Sequence, residues 1–179
     1  GHVPAGVREP AAAFGRPAHG QAHGLGADKA ARHVVVLVAD DLGWADLSCY
    51  GSSFYETPNI DRIARQGMRM THAYAASPLC SPTRASILTG KYPATVGITN
   101  YIYGQGCGKL LSAPYLDHLP QAETTIASAL RGGGYQTWHV GKWHLGEQES
   151  SWPEHHGFDV NIGGWRAGRP ESYFSPYGN

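Results

Sequence analysis

Residues 80–90 read Cys-Ser-Pro-Thr-Arg-Ala-Ser-Ile-Leu-Thr-Gly. Pro82 near the start and Gly90 just past the end predict a short helix over Ser81–Thr89. Cys80 then stands at the helix N-terminus, where unpaired backbone N–H groups and the helix dipole favour an anion. Arg84, four residues on, lies over the same turn. Two readings of Cys80 follow: a small buried hydrophobe, as a lone cysteine near a helix start commonly is, or a reactive group beside a place where an oxyanion docks.

Upstream, Thr57-Pro-Asn-Ile-Asp-Arg-Ile-Ala-Arg-Gln-Gly67 predicts a helix with Thr57 as N-cap, Pro58 at the first position and Gly67 as stop. Its apolar stripe is Ile60, Ile63 and Ala64. Met68–Ala75 alternates like a strand. Further back, His33-Val-Val-Val-Leu-Val-Ala39 is a β-branched run of the kind found in strands buried on both faces. That run ends in Asp40-Asp41. Buried carboxylates need a cationic partner, and ligands of α/β sheets gather at the carboxyl ends of strands. Asp40 and Asp41 are therefore candidate oxygen ligands of a hard divalent ion. The competing reading makes Asp40 a helix or turn cap and Asp41 an exposed loop charge before Leu42-Gly43.

Downstream, residues 91–121 hold Gly, Pro and Tyr without a sustained period and read as a long surface excursion. Thr124 or Thr125 caps a helix through Arg131, Gly132-Gly-Gly134 stops it, and Tyr135–Val140 is strand-like. Strand, helix, strand, helix, helix, strand favours an α/β layered fold with a mostly parallel central sheet flanked by helices. From Glu147 onward no period emerges, and no closing element appears before Asn179. Residues 1–31 lack any apolar period and read as a flexible lead-in.

Composition narrows the class. The 179 residues include 24 Gly and 12 Pro, yet 41% hydrophobic and 16% charged residues mark a globular chain. Fourteen basic residues balance fourteen acidic ones, which argues against nucleic acid or an anionic membrane as partner. The longest strongly apolar run, Val34–Ala39, is far short of the roughly 20 residues that span a bilayer. Three cysteines without CxxC spacing fit neither a disulfide framework nor a structural zinc site. No basic and apolar leader opens the chain, so localisation has to be argued indirectly.

Cys80-Ser-Pro-Thr-Arg84 with Ala85-Ser-Ile-Leu-Thr-Gly90 resembles the C-x-P-x-R-x-x-x-L-T-G signature of the formylglycine-dependent (type I) sulfatases. Gly134-Tyr-Gln-Thr-Trp-His-Val-Gly-Lys142-Trp-His144 resembles the second signature of that family, G-Y-x-T-x-x-x-G-K-x-H, at every fixed position. Asp40-Asp41-Leu-Gly43, Thr57-Pro-Asn-Ile-Asp61 and Gly157-Phe-Asp159 are similar as well. The likeness covers most of residues 33–179, in the expected order.

The resemblance implies an alkaline-phosphatase-like α/β fold and hydrolysis of sulfate monoesters, aryl or carbohydrate. It implies that a separate formylglycine-generating enzyme oxidises Cys80 to Cα-formylglycine, whose hydrate is the nucleophile. One hydroxyl attacks sulfur, and the other expels sulfate as the aldehyde re-forms, which splits one hard step into two. It further implies that Asp40, Asp41 and the Cys80-derived group hold Ca²⁺, with Mg²⁺ the weaker choice. Arg84 would hold the formylglycine, Lys142 would clamp a sulfate oxygen, and His144, facing the same side as Lys142 by strand alternation, would hydrogen-bond the diol. Export to the periplasm or outside the cell follows from family habit. Residues 156–177 look most like bacterial members that desulfate polysaccharides.

The family's remaining metal ligands, second Lys and further His have no candidates before Asn179. Residues 32–179 are therefore expected to be the N-terminal part of a truncated catalytic domain, inactive alone. Two rivals remain: a phosphate or phosphonate ester hydrolase on the same fold, and a non-catalytic sulfate-binding module with unmodified Cys80. His139 is expected to be a packed or surface histidine, and His155 and His156 lack zinc-ligand spacing. Cys49 reads as a buried thiol and Cys107 as a loop thiol. Tyr101, Tyr103, Trp165, Tyr173, Phe174 and Tyr177 either line a sugar site or simply pack.

Overall fold

The computed structural model describes residues 33–104 and 109–175. The chain divides into two compact units, Gly1–Ala39 and Asp40–Asn179. The expected lead-in over 1–31, together with Cys107 and Tyr177, lies outside the described residues. In the first unit, residues 33–39 form no strand, and Val35 and Leu37 are 77% and 84% exposed. The expectation of a strand buried on both faces is thus not met. Such a run is buried only when neighbouring strands take its N–H and C=O groups, and the one sheet among the described residues is formed elsewhere.

In the second unit the core gathers Ala85, Val96, Ile98, Ile102, Leu119, Trp143 and Leu145. Four of these come from residues 91–121, so that segment, expected as a surface excursion, supplies much of the core, while Leu110 and Leu111 within it are exposed. It buries its apolar residues through turns, which leave no period to read. One turn is the short helix α3, Pro93–Val96, closed by Gly97 at φ 86°. Leu116 N–H then donates to the Gly97 carbonyl at 2.8 Å, and Leu119 N–H to the Leu145 carbonyl at 2.9 Å.

Helix α1, Pro58–Gln66, has the predicted bounds, but Thr57 makes no side-chain cap bond. Its hydroxyl accepts from Ser48 N–H at 3.0 Å and donates to Asp61 at 3.0 Å, and Asp61 also accepts from Cys49 N–H at 2.9 Å. Ile60 and Ile63, the predicted inner stripe, are exposed. Residues 68–75 form no strand among the described residues. Helix α2 spans Cys80–Thr89 and ends on Gly90 at φ 69°. Helix α4, Ile126–Gly132, is capped by Thr125 in a reciprocal box with Ser128.

The predicted strand shortens to β1, Trp138–Val140. It pairs in parallel with β2, Val160–Ile162, in register Trp138↔Val160 and Val140↔Ile162. No alternation announced β2. The connection between the strands carries turns of 3-10 helix at Glu149–Ser151 and Pro153–His156 rather than an α-helix. Its first residues, immediately after β1, are Gly141–Leu145.

His139, the middle residue of β1, packs edge-on against Trp143 and Phe158 with ring centroids 5.2 and 5.3 Å apart. The packed reading of that histidine holds. His156 is 3% exposed beside Trp143, and neither ring nitrogen has a hydrogen-bond partner among the described residues. Burial above all, then the nearby His155 and His118, pushes its pKa down to about 4. The folded state therefore resists protonation that the unfolded chain, titrating near 6.5, accepts. This contribution is complete above pH 6.5 and lost as pH falls towards 4. Denaturation midpoints measured across that window are expected to drop with pH, and His156→Gln is expected to flatten the slope.

Candidate active site

Asp40 is the hub. Its Oδ2 lies 2.5 Å from Lys142 Nζ and its Oδ1 3.4 Å from Arg84 Nη2. Burial raises the Asp40 carboxyl, but the Lys142 hydrogen bond and the charges of Lys142 and Arg84 outweigh it, and the carboxyl titrates below its ordinary 3.8. Arg84 reaches across from α2, where it also donates to the Lys142 carbonyl at 2.6 Å. One carboxylate thus ties Arg84 of the first motif to Lys142 of the second, which lies 102 residues from Asp40 in the chain.

Asp41 follows at φ 55°, a left-handed conformation that Asp tolerates better than most residues. The turn brings its carboxylate back beside that of Asp40. Donor atoms of Asp40, Asp41 and Cys80 all lie within 4.8 Å of one another. Cys80 is the first residue of α2, and the residue before it, Leu79, offers no side-chain cap to the first-turn N–H groups. Neither the turn-cap reading of Asp40 nor the buried-hydrophobe reading of a half-exposed Cys80 describes this cluster.

Sequence alternation placed Lys142 and His144 on one face of a continuing strand. The strand instead stops at Val140, and Gly141 turns the chain at φ 99°. Lys142 and His144 still line one cavity, because Trp143 between them is driven into the core at 1% exposure and His144 takes φ 58°. His144 Nε2 lies 3.3 Å from the Ile102 carbonyl, and Nδ1 is buried without a partner among the described residues. Burial first, then the Lys142 charge, lowers its pKa below 6.5 and keeps the imidazole neutral at pH 7.

The cavity measures about 560 Å³ and holds Asp40, Asp41, Cys80, Lys142 and His144 on its walls. Arg84 stands behind Asp40 rather than on the cavity wall. Tyr101, Tyr103 and Tyr173 line it as well, whereas Trp165 and Phe174 do not.

Two residues that sequence reasoning passed over support His144. Ser81, fully buried, donates to the His144 carbonyl at 2.9 Å and accepts from Ile102 N–H at 3.0 Å. It therefore pins three segments at one hydroxyl. Gly168 leaves room for the imidazole: a Cβ there would stand 2.7 Å from Cε1 and 2.8 Å from Nδ1. Neither residue carries a pattern of its own. Only the position of Ser81 directly after Cys80 hinted at a role.

A family model described as Sulfatase matches residues 32–177. N-acetylgalactosamine-6-sulfatase of Sus scrofa is 41% identical over 162 residues, covering 88% of this chain and 30% of that protein. Steryl-sulfatase of Rattus norvegicus is 44% identical over 135 residues, covering 72% of this chain and 23% of that protein. Among solved structures, Ps i-CgsB superposes with a TM-score of 0.60 at 36% identity over 72% of this chain and 27% of that one. A Bacteroides thetaiotaomicron protein of glycosaminoglycan metabolism gives 0.54 at 39% identity, over 68% and 26%. The fold is that of the sulfatases, alkaline-phosphatase-like, of which the β1–β2 pair and its helices form a part. The chain belongs to the sulfatase family. It spans about 30% or less of the length of these curated relatives.

Ser81→Ala removes one hydroxyl and orphans a buried N–H and a buried carbonyl. Denaturation of the variant is expected to show a loss of about 1–3 kcal/mol. A change within experimental error would mean that the two groups find other partners.

Proposed function

We propose that this chain is the N-terminal part of a sulfatase catalytic domain that hydrolyses sulfate monoesters of aryl or carbohydrate alcohols. The observation that carries the proposal is the convergence of Asp40, Asp41 and Cys80 within 4.8 Å, with Lys142 beside them. Length supports the partial-domain reading, since the aligned stretch covers 88% of this chain but 30% of N-acetylgalactosamine-6-sulfatase of Sus scrofa. So do the uncovered apolar faces of residues 33–39 and of α1.

The donor set fits a hard cation in part. Two carboxylates and an oxygen made from Cys80 suit Ca²⁺ better than a soft metal, but Ca²⁺ takes about 6 to 8 oxygens. These residues supply one side of a cage. When bound there, the ion polarises sulfate oxygens and eases loss of the hydroxyl proton. Lys142, already donating to Asp40, is the residue that would swing to the second member of such a site, a sulfate oxygen.

Conversion of Cys80 to formylglycine by a formylglycine-generating enzyme replaces sulfur by a hydrated aldehyde, which would offer one hydroxyl to attack the ester sulfur as its S–O bond breaks and the alcohol leaves, and a second whose proton is lost as the aldehyde re-forms and sulfate departs. This chain's own residues then divide the work. Arg84 holds Asp40 in place and keeps the site's carboxylates from repelling an anionic substrate. Lys142 places a positive charge where negative charge grows on the transferring group. His144, neutral at pH 7, takes up the proton released as the aldehyde re-forms. A site of this kind belongs to an exported enzyme in a calcium-rich compartment. Fourteen basic residues balance fourteen acidic ones, and no helix among the described residues is long and apolar enough to cross a bilayer.

Nitrophenyl sulfate and nitrophenyl phosphate assayed in parallel test the proposal. The complete protein is expected to turn over the sulfate ester, Lys142→Ala is expected to lower kcat about 10²–10³-fold, and residues 1–179 alone are expected to be inactive. Preference for the phosphate ester, or full turnover by residues 1–179, would contradict it.

A further inference from the structure

The cavity has a second charged wall that the hydrolytic residues do not use. Arg166 and Arg169, in the segment after β2, line it together with Glu147 and the phenols of Tyr101, Tyr103 and Tyr173. Glu147 Oε1 lies 3.2 Å from Arg166 Nη1, and the Tyr103 phenol has its pKa raised to about 12, chiefly by burial and then by the Glu147 carboxylate. The Arg166 guanidinium also lies over the Trp165 ring, 5.4 Å from its centroid. Arg166 thus meets Glu147 through one guanidinium nitrogen and the indole through its face, and its side chain stays 53% exposed. Arg169 is exposed and forms no ion pair among the described residues.

Charge on the two walls is therefore unequal. Lys142 and Arg84 compensate Asp40, and the Asp41 carboxylate is left for a cation. On the other wall Glu147 offsets one arginine, and Arg169 remains a surplus positive charge. Phenol faces between the walls suit a sugar ring, which offers C–H surface to an aromatic face and hydroxyls to its edge. Fixed guanidinium forks match carboxylate and sulfate oxygens in pairs. A neutral aryl or steroid alcohol would leave Arg169 without a partner in the complex.

We propose that Arg169, with Arg166 oriented by Glu147, forms a subsite for a second anionic group, a sulfate or a uronate carboxylate, on a saccharide whose scissile sulfate sits at Cys80 and Lys142. The subsite selects multiply charged oligosaccharides over singly sulfated alcohols. The placement of the scissile sulfate rests on the hydrolase reading above; the arginine wall itself does not.

The test compares, on the complete protein, a singly sulfated disaccharide with the same disaccharide bearing a second sulfate or a uronate. Wild type is expected to favour the doubly charged substrates in kcat/KM, and Arg169→Ala to cut that preference about tenfold or more, with Arg169→Lys keeping part of it. Raising salt from about 0.05 to 0.2 M is expected to shrink the wild-type preference as screening shortens. A preference in Arg169→Ala within about twofold of wild type overturns the subsite. The sulfate and uronate arms show which anion it takes. Calorimetric binding of the same disaccharides separates the two readings. If wild type hydrolyses no sulfate ester, the hydrolase reading falls, while about tenfold weaker binding of the doubly charged ligand by Arg169→Ala still upholds the subsite and equal binding rejects it.

Discussion

The Asp40 carboxylate is the constraint on which the site depends. A negative charge partly withdrawn from water is tolerable only with compensation, and here Lys142 and Arg84 supply it from two elements remote in sequence. That pairing fixes where the start of α2 stands relative to the turn after β1. Cys80, Asp41 and His144 are then neighbours as a consequence, since each is within a few residues of a paired group. Removing Asp40 would leave Lys142 on the cavity wall and Arg84 behind it without their shared anion.

Around this hub the backbone is strained in a way that follows the site. Among the described residues, the non-glycine positions with positive φ are Asp41, Tyr103 and His144, and all three line the same cavity. Such conformations cost about 1–3 kcal/mol each and persist where the surroundings over-determine them. For His144 the surroundings are visible: Trp143 and Leu145 buried on either side, the Ser81 hydroxyl on its carbonyl, and Gly168 flush against its ring. The imidazole is positioned by the core rather than by a flexible loop.

Much of this was legible in the sequence, and the limits have physical causes. Helix termini could be read because Pro58, Gly90 and Thr125 carry local chemistry. The clustering of Cys80, Asp40, Asp41, Lys142 and His144 was legible through two long motifs and the short Asp40-Asp41-Leu-Gly43 stretch, although strand alternation gave the wrong reason for Lys142 and His144 sharing a wall. Residues 91–121 were misread because irregular turns bury Val96, Ile98, Ile102 and Leu119 without periodicity. β2 escaped notice because three residues are too few to show alternation. The run His33–Ala39 shows that apolar β-branched composition marks a strand only in the presence of neighbouring strands. Ser81, Gly168 and the Arg166–Glu147 pair act through contacts with distant segments, and no local pattern encodes those contacts.

The central claim is that the side chain at position 80 functions as an oxidised cysteine within the Asp40 cluster. Mass spectrometry of the tryptic peptide Met70–Arg84, from protein made alongside a formylglycine-generating enzyme, addresses it most directly. The account predicts a peptide lighter than the thiol form by roughly 18 mass units, the difference between a thiol and an aldehyde at that carbon, and a gain of sulfatase activity in step with it. An unmodified thiol in a protein that nevertheless hydrolyses sulfate esters would contradict the account.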